Sequence, residues 1–278
     1  MSGPAPGLLG DTAARDYARK LHLFGAFAEP ELRQAVSALA IAPGSRVLDA
    51  GCGTGETLRW LSAAAGAQGQ VVGLDLASAH LAAARTSLGA AAQIVQADLL
   101  KPPLLPGSFD LIWTVNTINH LRDPDAGLAR LRPLLAPGGR LALGQSALLA
   151  EMYFAWDARL ERLTHEAVRM YYRARYGLAE QDLSGVRAIV GLLRRAALRE
   201  VTVHTYLIER VAPLRPADEA YLLEAIFRGT WGERLRPYLD GDDYQALVQL
   251  CDPRDGRYAL RRPDFHFLQS FTLAVGRV

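Results

Sequence analysis

The chain has 278 residues and a net charge of +2; half of it is hydrophobic and 22% is charged. That balance supports a large buried core and argues against a dedicated polyanion binder. The basic side chains are arginines apart from Lys20 and Lys101, and they are spread along the chain, which speaks against a nucleic-acid partner. Cys52 and Cys251 form neither a disulfide framework nor a metal-ligand spacing. No apolar run reaches the ~20 residues that span a bilayer, and the start MSGPAPGLLG lacks the regions of a signal peptide. The expectation is a cytoplasmic protein with no membrane partner and no bound metal.

Residues 11–40 read as helical, with Tyr17, Leu21 and Phe24 at helical spacing. A strand–helix alternation follows: strand 45–50 ending at an acid, helix 56–65, strand 70–75 ending at a second acid, helix 78–88 and strand 92–96. After the loop KPPLLPGS come strand 109–115, helix 123–136 stopped by Pro137-Gly138-Gly139, and strand 140–144. Short continuous apolar strands separated by helices predict a parallel sheet covered on both faces. Further on, 150–175 reads as one or two amphipathic helices, 185–198 as a helix and 216–250 as helical. The alternating runs 201–208 and 267–275 are expected to pair antiparallel. The predicted fold is α/β, Rossmann-like: a seven-stranded mostly parallel sheet with an antiparallel C-terminal edge strand and helical lid insertions. Its divisions are an N-terminal helical cap (1–40), a cofactor-binding core (41–149), a helical lid insertion (150–184) and the remainder of the sheet (185–278) with a helical insertion at 212–262.

Ligands of such sheets bind beyond the carboxyl ends of the strands, where Asp49, Asp75, Asp98 and Thr114–Asn116 fall. The turn Asp49-Ala50-Gly51-Cys52-Gly53-Thr54-Gly55 follows G-x-G-x-G, whereas the dinucleotide fingerprint is G-x-G-x-x-G. Asp49 at its mouth would repel a pyrophosphate and attract a ligand bearing an ammonium and a sulfonium. Asp75, ending the next strand, can accept hydrogen bonds from both hydroxyls of a ribose. The bland alternatives are tight turns for the glycines and helix caps for the acids.

In order and spacing, VLDAGCGTG (47–55), VVGLDLA (71–77), VQADLL (95–100), FDLIWTVNTINHL (109–121) and LRPLLAPGGRLAL (131–143) resemble the motifs of class I S-adenosylmethionine-dependent methyltransferases, nearest the ubiquinone/menaquinone-type small-molecule group. The resemblance implies S-adenosyl-L-methionine as cofactor, with Asp49, Gly51, Cys52, Gly53 and Thr54 around its methionine portion. It implies Asp75 on the ribose and Leu76 against the adenine, Asp98 on the adenine amino group with Leu99 beside it, and the Thr114–Val115 backbone toward the methionine end. Tyr17 either closes over the cofactor carboxylate or faces the core.

The chain departs from several subclasses. Asn116-Thr117-Ile118-Asn119 replaces the N-P-P-Y-type run of amino-methylating nucleic-acid enzymes, and no cysteine lies near the fourth strand to serve as a covalent nucleophile. His120, just past that strand, is the candidate base, with packing at the helix entry as its alternative. Tyr153, Trp156, Tyr171 and Tyr172 either shape an apolar substrate pocket or belong to the core. The function expected is methyl transfer to a small, partly apolar acceptor at O, C or N, achieved mainly by positioning. Methylation of RNA or protein, and cofactor binding without transfer, stay open as alternatives.

Overall fold

Alternating apolar side chains along the central strands divide the interior into two cores. Val47, Leu111, Trp113 and Ala142 point to one face of the sheet, while Leu48, Ile112, Leu141 and Leu143 point to the other. A strand with both faces buried needs this pattern, and each fully buried aliphatic side chain stabilises by roughly 1.5–3 kcal/mol. The computed structural model describes residues 18–88, 93–147, 152–177 and 185–278. The strands are β1 (Arg46–Ala50), β2 (Gln70–Asp75), β3 (Gln93–Gln96), β4 (Phe109–Val115), β5 (Leu135–Ser146), β6 (Tyr153–Phe154), β7 (Arg199–Val211) and β8 (His266–Arg277).

They form one sheet in the order β3-β2-β1-β4-β5-β8-β6, with β7 also pairing with β8. Strands β1 to β5 are parallel, and β8 runs antiparallel to β5, β6 and β7. The strand order reverses between β1 and β4, which opens a crevice at their carboxyl ends. Helices α1 (Ala18–Phe27), α2 (Glu29–Ala38), α3 (Glu56–Ala65) and α4 (Ser78–Leu88) place buried residues in the first core. Helices α5 (Pro124–Leu131) and α7 (Gly185–Arg195) do so in the second.

The first face also carries α6 (Ala158–Tyr176), α8 (Pro216–Ala220) running into a π-helical stretch (Tyr221–Trp231), α9 (Gly232–Leu235) and α10 (Gly241–Cys251). Arg210 of β7 fastens α1, α2 and α8 to the sheet. Its guanidinium donates to Glu31 at 2.8 and 3.0 Å, to Asp218 at 3.0 Å and to the carbonyl of Phe27, and its side chain is only 9% exposed. Among the described residues, no helix is long and apolar enough to cross a membrane.

The strand count is eight among the described residues, against the seven expected. The additional strand is β6, whose two residues are too few to leave a period-two signature. It lies where a helix was expected, and α6 begins only at Ala158, where the Asp157 side chain accepts from the Leu160 amide at 2.7 Å. Pro137-Gly138-Gly139 also fall inside β5, at a register shift against β4, so they do not end a helix. The π-helical stretch within 216–250 was not foreseen, because π turns are rare insertions in helices that read as α from sequence.

Candidate functional site

Strand β1 ends in a turn that only glycine accommodates at its centre. Gly51 has φ +87°, and a Cβ there would lie 2.1 Å from Thr117 Oγ1, so neither the backbone conformation nor the space admits a side chain. The amides of Gly51 and Cys52 donate to the Leu74 carbonyl at 2.7 and 3.0 Å. The Gly53 amide donates to Asp75 Oδ2 at 2.9 Å. Asp75 Oδ1 accepts from the Ala77 amide at 2.9 Å, and His80 Nδ1 stands 3.4 Å from it. Burial pushes the Asp75 carboxyl up, but His80 and the two amides outweigh that and hold it below the usual carboxylate range. A carboxylate offers about four acceptor positions, so Asp75 keeps capacity for ligand hydroxyls.

Asp49 is in the opposite condition. It is 2% exposed, and its Oδ2 is buried without a hydrogen-bond partner. Burial, with Asp75 and Glu56 adding like charge, pushes its carboxyl well above the usual range. A buried carboxylate oxygen facing other acids is stabilised by a ligand that brings positive charge and N–H donors. Burial and the same acids push the neighbouring Cys52 thiol up, so it is no nucleophile.

These groups open onto a cavity of about 490 Å³, within the range of small-molecule sites. Of the residues singled out from the sequence, Asp49, Gly51, Cys52, Gly53, Thr54, Asp75, Leu76, Asp98, Leu99, Val115, His120 and Tyr172 line it. Thr114 sits behind the wall, fully buried with Oγ1 unpartnered. Tyr17 lies outside the described residues. Three of the four aromatics are elsewhere. Tyr153 on β6 is 57% exposed, Trp156 stacks on Phe154 at 4.5 Å within a cluster completed by Phe227 and Trp231, and Tyr171 packs beneath Arg234.

The carboxyl ends of β4 and β5 are locked together by Asn116. Its Nδ2 donates to Ser146 Oγ at 3.1 Å, and its Oδ1 accepts from the Ser146 amide at 2.8 Å. His120 follows in a short 3-10 turn (Ile118–His120). His120 is exposed, and its surface lines the cavity. Desolvation within the cavity lowers its pKa; Asp75 opposes the shift and Lys20 adds to it, so the imidazole is neutral, and able to accept a proton, near neutral pH.

The cavity includes residues that sequence patterns did not single out for the site. His80 occupies the first turn of α4, shortly after the acid that ends β2, and faces back to Asp75. Its position five residues past Asp75 was the available signal. Lys20 and Phe24 reach the cavity from α1, Tyr176 from α6, and Tyr221 and Ile226 from the π-helical stretch. They come from distant segments and carried no local motif.

Residues 47–139 match a family described as a methyltransferase domain. The 2-phytyl-1,4-naphtoquinone methyltransferase of Thermosynechococcus vestitus is 39% identical over 113 residues, covering 40% of this chain and 50% of that protein. The demethylmenaquinone methyltransferase of Shouchella clausii is 26% identical over 174 residues, covering 59% of this chain and 74% of that protein. Across the first curated relatives, the chain spans half their length or less. Among solved structures, a phosphoethanolamine N-methyltransferase 2 of Haemonchus contortus in complex with S-adenosyl-L-methionine aligns with a TM-score of 0.54 at 19% identity, covering 95% of this chain and 59% of that one. Residues 47–139 thus match a methyltransferase domain, and the chain that carries them shares its fold with a solved methyltransferase.

Proposed function

We propose that this chain binds S-adenosyl-L-methionine at the carboxyl ends of β1 to β4 and transfers its methyl group to a small, partly apolar acceptor. The observation that carries the reading is the buried, unpartnered Asp49 Oδ2 beside the glycine turn, on the strand next to that of the hydroxyl-accepting Asp75. Together they suit a cationic nucleoside and no phosphate. Asp49 and the Gly51–Gly53 backbone would hold the methionine portion, Asp75 the ribose, Asp98 and Leu99 the adenine, and Val115 would line the methionine end. The sulfonium of the bound cofactor supplies a methyl group that is already electrophilic.

The protein's own contribution is positioning and exclusion of water. His80 and the two amides fix Asp75, Asn116 fixes the ends of β4 and β5, and α1, α6 and the π-helical stretch cover the far side of the cavity. Where the acceptor must lose a proton, His120 Nδ1 or Nε2 receives it. The apolar surface of Phe24, Met152, Tyr221 and Ile226 supports a partly apolar acceptor, in keeping with the quinone-type names of the relatives. The test is incubation with methyl-labelled cofactor and fractionated cell extract. Label in a small organic-soluble product is the expected result. Label in RNA or protein, or retained cofactor binding with no transfer to any fraction, would reject it.

A further inference from the structure

Four acids, Asp49, Glu56, Asp75 and Asp98, line the cavity. Lys20 of α1 lines it as well, and its Nζ donates to Thr230 Oγ1 at 3.2 Å. Thr230 is 1% exposed and donates its own hydroxyl proton to the Ala225 carbonyl at 2.9 Å, so its lone pair is turned toward the ammonium. This is a built arrangement. The π-helical stretch, a rare conformation that recurs at functional sites, carries Thr230 to that position and sends Tyr221 and Ile226 into the same space.

Among the described residues, no carboxylate pairs with Lys20. The charge acting on it is another cation, Arg234, and burial together with Arg234 lowers its pKa to about 8. A mostly buried ammonium with two N–H donors left over is costly unless something else neutralises it. Through Thr230, Lys20 is tied to the π-helical stretch that supplies Tyr221 and Ile226 to the apolar part of the cavity wall. The Tyr221 hydroxyl, pushed up by burial, stays protonated and lines the same cavity as a further donor.

Building on the methyltransferase reading, we infer that Lys20 is the receptor for an anionic oxygen group, a carboxylate or an ionised phenol or enol, on the methyl acceptor. The acceptor class is then an apolar ring or chain bearing one such group. Its apolar part lies against Phe24, Met152 and Ile226, and its charge is neutralised by Lys20.

The test is calorimetric titration of 2-naphthoate and 2-naphthamide, which share a ring and differ in charge, into protein saturated with S-adenosylhomocysteine. Wild type should bind the carboxylate at least about tenfold more tightly, the value of one charge-assisted hydrogen bond. Lys20→Met should lose that preference while holding S-adenosylhomocysteine within about twofold of wild type, and Lys20→Arg should keep it. The inference is overturned if wild type shows no preference or binds neither probe, or if Lys20→Met keeps the preference. It is also overturned if Lys20→Met instead loses affinity for S-adenosylhomocysteine, which would assign Lys20 to the cofactor's own carboxylate. Should wild type bind no S-adenosylhomocysteine, the methyltransferase reading falls, and the same two probes titrated into the ligand-free protein still decide the role of Lys20.

Discussion

Replacing Asp49 with asparagine separates the carboxylate's part in binding from its part in folding, because the two effects have opposite signs. The side chain is 2% exposed, one oxygen has no partner, and Asp75 and Glu56 add like charge. Asparagine keeps the shape and removes the charge, so the ligand-free protein should melt at the same temperature or higher, by about 2–4 °C for each kcal/mol of relieved desolvation. Affinity for S-adenosylmethionine should fall by about 1.5–3 kcal/mol, the value of a charge-assisted hydrogen bond, or roughly 10- to 150-fold. The pH dependence follows from the same group. Its folded pKa lies above its unfolded one, so its contribution to ligand-free stability is complete below about pH 4 and is lost as pH rises through the folded value. Wild type should therefore lose stability relative to Asp49→Asn over that rise. Thermal unfolding across pH, with calorimetry of cofactor binding, measures both quantities. An Asp49→Asn protein that binds the cofactor as wild type does, or melts several degrees lower without it, would refute the reasoning.

Other expectations follow from single contacts. Gly51→Ala forces a Cβ to 2.1 Å from Thr117 Oγ1 at φ +87°; it should destabilise by about 2–4 kcal/mol, and Thr117→Ala should restore only the steric part, as read from denaturant unfolding. Arg210→Met leaves Glu31 without its cation and Asp218 with Arg215 alone and should cost about 3–5 kcal/mol in the same assay, with no change in which ligand binds. His120→Asn should lower kcat by about 10²–10⁴ with little change in cofactor affinity if a proton is removed. In wild type, the acid limb of the rate should lie below about pH 6.5, because desolvation within the cavity lowers the His120 pKa.

The parallel half of the sheet was legible because three of its strands end at or beside a marked residue, Asp49, Asp75 and Asn116. The glycine turn was legible for the same reason, since Gly51 answers to local backbone geometry and one close neighbour. The acceptor side was not. Lys20, Thr230 and Tyr221 meet only after some 200 residues of chain fold back, and nothing near Lys20 in sequence distinguishes it from a solvated lysine. Tyr153 and Trp156 misled for a physical reason. Their spacing suggested one helix face, but a two-residue strand turns Tyr153 outward and buries Trp156 against Phe154. His80 shows the intermediate case, with its position relative to Asp75 readable and its direction fixed only by the start of α4.

The most direct measurement is a calorimetric titration of S-adenosylmethionine into the wild-type chain and into Asp75→Ala. Saturable binding at one site in wild type, weakened at least about tenfold in the variant through loss of charge-assisted hydrogen bonds, is the predicted result. Absence of binding to wild type, or equal affinity in both proteins, would contradict the account.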